Sequence, residues 1–385
     1  MKILHVAPSI ERAYGGPTQS LAGYIAASRV AGAEIDVAAP FPARHEVDAL
    51  EEAGARRVET FKGYGRGSSA ASPTLVKWVR DNARMYDAVH VHGLFNFIST
   101  FAARAAIAAG SPVIVRPFGT LSRYTFSHRR SGLKRTWFEK LERPNLVRAA
   151  AVHFTTATER DEAEWHGLDL GARAHIVPPP FILAAAVEST APKERMPTVL
   201  FLGRFHPVKN LETLIESWRI VSRAIPDARL EIAGEGSRAY SEKLRRLAYA
   251  VAPKGRIVFP GFLSGPAKAS ALAAASLLVL PSLHENFGMV VVEAVAAGVP
   301  VVVSEHVQLR DFVAANDLGI IASAGPESLA DAIVTGLRDT MLHDRVRMGG
   351  RELVERTYSP AVIGKQLSAM YLSAIASHRS MNTTA

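Results

Sequence analysis

The chain has 385 residues, of which 48% are hydrophobic, 21% charged and 8% aromatic, and it contains no cysteine. That length predicts two domains or one large one and excludes disordered, collagen-like and coiled-coil classes, while the missing cysteines exclude disulfide frameworks, thiolate metal sites and cysteine nucleophiles. With 45 Lys and Arg against 36 Asp and Glu the formal net charge is +9, which raises the question of an anionic partner such as nucleic acid, a membrane surface or phosphates.

Short β-branched runs alternate with longer Ala-rich runs of helical period, the pattern of wound α/β architecture with parallel sheets. In the first half, strands are expected at Ile3–Ala7, Ile35–Ala39, Arg57–Phe61, Ala88–His92, Val113–Arg116 and Ala151–Phe154, with helices between them, including Thr18–Val30 and Ile98–Ala109. The run Val177-Pro178-Pro179-Pro180 and the charged Lys193-Glu194-Arg195 read as a linker. A second series follows, with strands at Val199–Leu202, Leu230–Ala233, Ile257–Phe259, Leu277–Leu280, Val301–Val303 and Gly319–Ile321 and helices such as Leu211–Ala224 and Ser328–Leu337. The expected domains are therefore residues 1–185 and 196–359.

The apolar start from Met1 to Pro8 meets Glu11 and Arg12 at once, too short for a signal peptide. The longest uncharged apolar stretch, Ser270 to Leu283, has 14 residues, short of the ~20 that span a bilayer. Together with the absent cysteines this predicts a cytoplasmic protein, with a peripheral seat on the inner face of a membrane as an alternative.

In wound sheets, ligands collect beyond the C-terminal strand ends, where loops and helix N-termini present backbone N–H groups. The first such loop holds Gly15-Gly16, whose missing Cβ atoms would let a phosphate approach the backbone; an ordinary turn is the alternative. It is neither a dinucleotide fingerprint nor a P-loop. After the strand Val199–Leu202 comes Gly203-Arg204-Phe205-His206-Pro207-Val208-Lys209-Asn210, where Arg204, a planar fork, and Lys209, a point charge, can converge on a diphosphate unless both are merely solvated. Gly234-Glu235-Gly236 follows the next strand. The most specific loop runs from Pro281 through Glu285, Asn286, Phe287, Gly288 and Met289 to Glu293. An acid such as Glu293 inside an otherwise apolar helix requires a partner, either a sugar hydroxyl pair or a structural salt bridge. Glu285 could equally be an acid favoured at a helix N-terminus.

These elements, in this order and at these distances, resemble family 4 of the retaining nucleotide-sugar glycosyltransferases over nearly the whole chain. The resemblance implies a GT-B fold: two Rossmann-like domains with parallel sheets facing a central cleft. The C-terminal domain would hold the donor, the N-terminal domain the acceptor, and a final helix near residues 360–377 would cross back to the N-terminal domain. Carried over by residue, Arg204 and Lys209 would bind the donor diphosphate and stabilise its departure in place of a metal, so that no cofactor or metal is expected beyond a UDP- or GDP-type donor. Glu285 would contact the transferred hexose and Glu293 the ribose hydroxyls. Asn286 and the backbone at Phe287, Gly288 and Met289 would face the sugar or its phosphate, with Gly203, Gly234, Glu235 and Gly236 beside them. Gly15 and Gly16 would close over the diphosphate. His92 would lie near the acceptor, with His90 on the opposite face and structural. Where many members carry Thr-x-His-Gly this chain reads Arg116-Pro117-Phe118-Gly119-Thr120, so the usual sugar contact is missing or replaced by Arg116.

Nine basic residues between Arg116 and Arg148, among them Arg123, Arg129 and Arg130, stand against only Glu139 and Glu142, so most of the surplus charge lies on the acceptor side. Trp137, Leu141 and Leu133 at helical spacing suggest an amphipathic helix that could touch an anionic membrane; core packing with solvated cations, or a site for an acceptor's pyrophosphate, are the alternatives. No nucleic-acid recognition fold is present. The expectation is a hexosyltransferase that acts on a glycan or lipid-linked glycan, in cell-surface or exopolysaccharide synthesis. The competing readings are a nucleotide-sugar epimerase on the same fold and a non-catalytic nucleotide-sugar binder.

Overall fold

The computed structural model describes residues 1–11, 16–41, 44–65, 70–127, 131–182, 196–252 and 255–383. The chain divides into two compact units, Met1–Ile182 with Thr357–Ala385, and Leu183–Arg356.

The first unit carries a seven-stranded sheet of β1 (Lys2–Val6), β2 (Glu34–Pro40), β3 (Arg57–Phe61), β4 (Ala88–His92), β5 (Val113–Arg116), β6 (Ala151–Phe154) and β7 (Ala174–Ile176), in the order β3-β2-β1-β4-β5-β6-β7. Every pairing is parallel. Helices cover both faces, so the central strands are buried throughout and read as apolar runs. One core gathers Leu75, Val79, Ile98 and Phe138; the other gathers Leu21, Ile25, Ile363, Leu367 and Tyr371. The final helix, Pro360–Thr383, belongs to this unit, as the resemblance implied. It lies close to the helix Gly16–Val30 because Gly364 has no Cβ, which would fall 2.2 Å from the Ala27 carbonyl oxygen.

The second unit has six parallel strands, β8 (Thr198–Leu202), β9 (Arg229–Ala233), β10 (Ile257–Gly261), β11 (Leu277–Leu280), β12 (Val301–Ser304) and β13 (Gly319–Ala322), ordered β10-β9-β8-β11-β12-β13. In each unit the strand order reverses once, between β1 and β4 and between β8 and β11. Those reversals are where a wound sheet opens a crevice for a ligand.

Three expectations need correction. Strand β7 was not foreseen, because a three-residue edge strand with half-exposed side chains leaves no apolar run. The segment Val177–Pro180 is no linker: Pro180 packs against Gly23, and the Val177 carbonyl accepts from the Tyr24 hydroxyl. Lys193-Glu194-Arg195 lies outside the described residues. The basic segment is not one amphipathic helix either. It breaks into Arg123–Ser127, Ser131–Trp137, a π-turn Phe138–Glu142 and Arg143–Arg148. The π-turn is tied down by the buried Glu142 carboxylate, which accepts from the Phe95 amide, Thr100 Oγ1 and Trp137 Nε1 at 2.7, 2.6 and 3.0 Å.

Candidate functional site

The second unit brings two loops together at its reversal point. The β8 loop turns through a short 3₁₀ stretch, Pro207–Lys209, which the His206 ring caps by accepting from the Val208 amide. Asn210 then adopts a left-handed conformation (φ 54°), and the helix Leu211–Ala224 begins. The β11 loop is anchored to its neighbour by the Glu285 amide, which donates to the His306 carbonyl, and by the Gln308 amide, which donates to the Glu285 carbonyl. Between the two loops the Leu283 amide donates to the Val208 carbonyl, and the Lys209 ammonium pairs with the Glu285 carboxylate. Both side chains are about four-fifths buried. Arg204 is exposed on the same loop as Lys209.

Glu293 lies in the fifth position of the helix Met289–Ala296, whose other seven residues are apolar. The partner demanded by its burial is Lys268, with Nζ 2.5 Å from Oε2; this is a charge contact without hydrogen-bond alignment. The helix begins at Gly288 in the left-handed region (φ 83°), where a Cβ would crowd Leu280 and the Glu285 side chain. The backbone at Phe287, Gly288 and Met289 therefore forms a helix N-terminus beside Glu285, with Asn286 between. The glycines of the β9 loop have a structural cause. A Cβ on Gly234 would stand 1.8 Å from the Gly203 carbonyl oxygen, and one on Gly236 would stand 2.3 Å from that of Phe205. The two loops join through hydrogen bonds, the Gly203 amide donating to the Ala233 carbonyl and the Phe205 amide to the Glu235 carbonyl.

In the first unit a cavity of about 180 Å³ opens at the reversal point, lined among others by Pro8, Ser9, His92, Asn96, Phe118 and Thr120. Gly15, Arg129 and Arg130 lie outside the described residues, and Gly16 is the first residue of the helix Gly16–Val30. Beneath the cavity, the strands carry a fully buried polar cluster. His90 and His92 stack with ring centroids 4.4 Å apart, so the expectation that His90 faces away fails: residues two apart on a strand share a face. His5 on β1, His153 on β6 and Tyr371 on the last helix complete the cluster. Burial pushes the His5 pKa down to about 3, helped by the Arg116 charge, and burial and the neighbouring rings hold His90 and His92 well below the usual imidazole range. All are neutral at pH 7. Sequence reasoning missed His5, His153 and Tyr371. The available signal was histidine within three mostly apolar strands, once in β1, twice in β4 and once in β6.

Arg116 is 2% exposed, with its guanidinium over the Tyr24 and Phe118 rings at 4.4 and 3.8 Å and Nη1 donating to Ser20 Oγ. Phe118 itself holds a left-handed backbone (φ 59°), uncommon for a bulky residue. Phe118 and not Arg116 lines the cavity, so the replacement of the missing histidine contact by Arg116 is not seen in this conformation. The other cations are dispersed. Lys134 reaches the Thr120 carbonyl at 3.0 Å and sits over Phe95 and Phe126, Arg143 pairs with Glu139, and Arg123 lies over Trp165.

Residues 185–353 match the family described as glycosyl transferases group 1, and residues 15–180 match the glycosyl transferase 4-like domain. Among curated relatives, a phosphatidyl-myo-inositol mannosyltransferase of Mycobacterium leprae is 36% identical over 177 residues, 45% of this chain and 46% of the relative. A D-inositol 3-phosphate glycosyltransferase of Corynebacterium glutamicum is 32% identical over 185 residues, 46% of this chain and 44% of the relative. The matches thus span a little under half the length of these curated relatives. Two solved structures share the fold over nearly the whole chain. Anabaena HepE in complex with UDP and glucose has a TM-score of 0.75 at 20% identity, covering 97% of this chain and 100% of that one. A sucrose-phosphate synthase of Thermosynechococcus elongatus has a TM-score of 0.73 at 17% identity, covering 98% and 100%. The two parallel sheets are those of the GT-B architecture, and the chain carries a glycosyl transferase 4-like domain followed by a glycosyl transferases group 1 domain.

Proposed function

We propose that the chain is a metal-independent, retaining hexosyltransferase that uses a UDP- or GDP-type sugar as donor and a glycan or lipid-linked glycan as acceptor. The observation that carries this reading is the meeting of Lys209 and Glu285, with Arg204 and Glu293 on the same pair of elements, at the point where the second sheet reverses. The UDP and glucose in the HepE structure, and the sugar-transfer names of the curated relatives, support it.

In this reading the donor diphosphate takes Arg204 and Lys209, whose fixed positive charge stabilises the negative charge that grows on the phosphate as the glycosidic bond breaks. Lys209 must then exchange its Glu285 partner for phosphate, which frees the carboxylate to accept from a hexose hydroxyl. The Glu293 carboxylate takes a ribose hydroxyl in place of Lys268. The departing phosphate oxygen can receive the proton of the attacking hydroxyl on the same face of the sugar. No protein nucleophile is then required, and configuration is retained. The acceptor belongs to the first unit, near the cavity that His92 lines. A lipid-linked acceptor is compatible with Leu133 and Val147, exposed at 73% and 52% among the exposed cations Arg135, Lys140 and Arg148.

The test is turnover of UDP- and GDP-hexoses with candidate polyol and lipid-linked acceptors, followed by proton NMR of the product's anomeric centre. An α-linked product from an α-linked donor, lost in Lys209→Ala and Glu293→Ala, is expected. Product formed without acceptor would mark an epimerase, and binding without turnover would mark a regulator; either would overturn the reading.

A further inference from the structure

We propose that His153, His90, Tyr371 and His5 form a hydrogen-bond relay that fixes the tautomer of His92, leaving its Nδ1 proton-free as the acceptor for a hydroxyl group in the cavity that His92 lines. The proposal rests on the reading of the first unit as the acceptor side, and every residue in it belongs to that unit.

The contacts form a chain, with the Ser28 hydroxyl beside that of Tyr371 as its one side group among the described residues. His153 Nε2 lies 2.7 Å from the Val177 carbonyl oxygen, and His153 Nδ1 lies 3.2 Å from His90 Nε2. His90 Nδ1 lies 3.1 Å from the Tyr371 hydroxyl, which lies 3.2 Å from His5 Nε2. Finally, His5 Nδ1 lies 2.9 Å from His92 Nε2. One end of this chain has no freedom: a carbonyl oxygen carries no proton, so His153 Nε2 must be the donor. A neutral imidazole holds a single N–H, so His153 Nδ1 accepts, and His90 Nε2 is the donor to it. The same step repeats along the chain. Tyr371 donates to His90 Nδ1 and accepts from His5 Nε2, and His5 Nδ1 accepts from His92 Nε2. All four rings are thereby held in the Nε2–H form, and the last lone pair, on His92 Nδ1, has no partner among the described residues.

A second orphan stands beside it. Arg116, the register partner of His92 on the neighbouring strand, has a buried Nε–H that also lacks a partner among the described residues. A hydroxyl group in the cavity meets the His92 acceptor by donating to Nδ1, whereas Arg116 does not line that cavity. A sugar hydroxyl or a water has that chemistry. The ligand atoms of His5, His90 and His92 also lie within 4.8 Å of one another, a spacing that a metal ion could use. The relay already occupies the Nδ1 lone pairs of His5 and His90, and Arg116 places a buried cation beside the same rings, so a dication would meet both lost hydrogen bonds and repulsion.

The test is histidine-selective ¹⁵N labelling of the full chain, with tautomers read from long-range ¹H–¹⁵N correlations. The wild type is expected to show His5, His90, His92 and His153 all as Nε2–H. A proton on Nδ1 of His5 or His92 would overturn the relay. In Tyr371→Phe the chain is cut, so His90 and His153 should keep their single tautomer while His5 and His92 become mixtures; four unchanged tautomers would show that Tyr371 only packs. If that variant does not fold, the wild-type spectrum decides alone. Glycerol serves as the hydroxyl probe. Titrated into the wild type, it should move the His92 Nδ1 resonance toward the hydrogen-bonded range without moving Nε2, whereas an Nδ1 signal that stays fixed would overturn the hydroxyl assignment and leave water as the partner. None of these readouts requires donor turnover, so they fail independently of the proposed transferase activity.

Discussion

Lys209 and Glu285 stand on different strand-to-helix loops of one sheet and meet as an ion pair where the strand order reverses. Each is thus held by the other before any ligand arrives. On the proposed reading, a diphosphate competes with the carboxylate for the ammonium, and the contact itself lowers the resting affinity of the site.

Removing the competitor should therefore separate binding from turnover. In Glu285→Gln the lysine is released, and a nucleoside diphosphate should bind about three- to tenfold tighter, while transfer falls about a hundredfold for want of the carboxylate on the hexose. Calorimetry with the free nucleotide and initial rates with the nucleotide sugar check the two halves. Weaker nucleotide binding in this variant would show that Glu285 supports the site instead of opposing it.

Glu293 and Lys268 pose a related question with a different answer. The carboxylate is mostly buried, and its charge contact is with Lys268. Glu293→Ala should weaken nucleotide-sugar binding about ten- to a hundredfold, the worth of a charged hydrogen bond to a hydroxyl. Lys268→Met should instead cost about 1–2 kcal/mol of stability by stranding the carboxylate, a value discounted because both groups retain some solvent. Urea denaturation of both variants distinguishes the roles.

The glycines of the second unit yield a sharp structural test. At Gly234 the backbone is in a region closed to side chains (φ 144°), and a Cβ would overlap the Gly203 carbonyl oxygen. Gly234→Ala should lower stability by about 3 kcal/mol or more and disturb the Arg204 loop, as measured by thermal unfolding. Gly255→Ala, also at positive φ (73°) but with nothing within 4 Å, should cost only about 1 kcal/mol.

The buried histidines set the response to acid. Their folded pKa values lie below the ordinary imidazole value, so between pH 6.5 and about 3 the unfolded chain binds protons that the folded chain refuses. Stability should be full above pH 6.5 and fall as pH drops through that window. For His5 alone the complete shift corresponds to up to roughly 5 kcal/mol. Urea midpoints at pH 7.5, 6 and 5 should decline progressively, and His5→Gln should flatten that decline.

Much of this was legible in the chain of residues. Runs such as Leu277–Leu280 and Val301–Ser304 are buried on both faces, so their apolar continuity announced parallel strands, whereas the strand order and its two reversal points are set by long-range pairing and were not read from the sequence. The motif spacing located Lys209, Glu285 and Glu293, but the partners of these residues lie 76 positions away for the Lys209–Glu285 pair and on a separate helix for Lys268, distances that no local pattern encodes. The histidine relay was invisible for the same reason, since His5 and Tyr371 are 366 positions apart. The basic segment misled because a count of charges ignores which way they point: Arg116 turned inward between two rings, and the π-turn broke the helical spacing of Trp137 and Leu141.

The most direct test of the account is donor binding by the second unit's loops. Thermal shift and calorimetry against matched UDP-, GDP- and ADP-sugars should show one nucleotide series stabilising the wild type, with that stabilisation reduced about tenfold or more in affinity by Lys209→Ala and by Glu293→Ala. Absence of stabilisation by any of the three series, or equal stabilisation of the wild type and both variants, would contradict it.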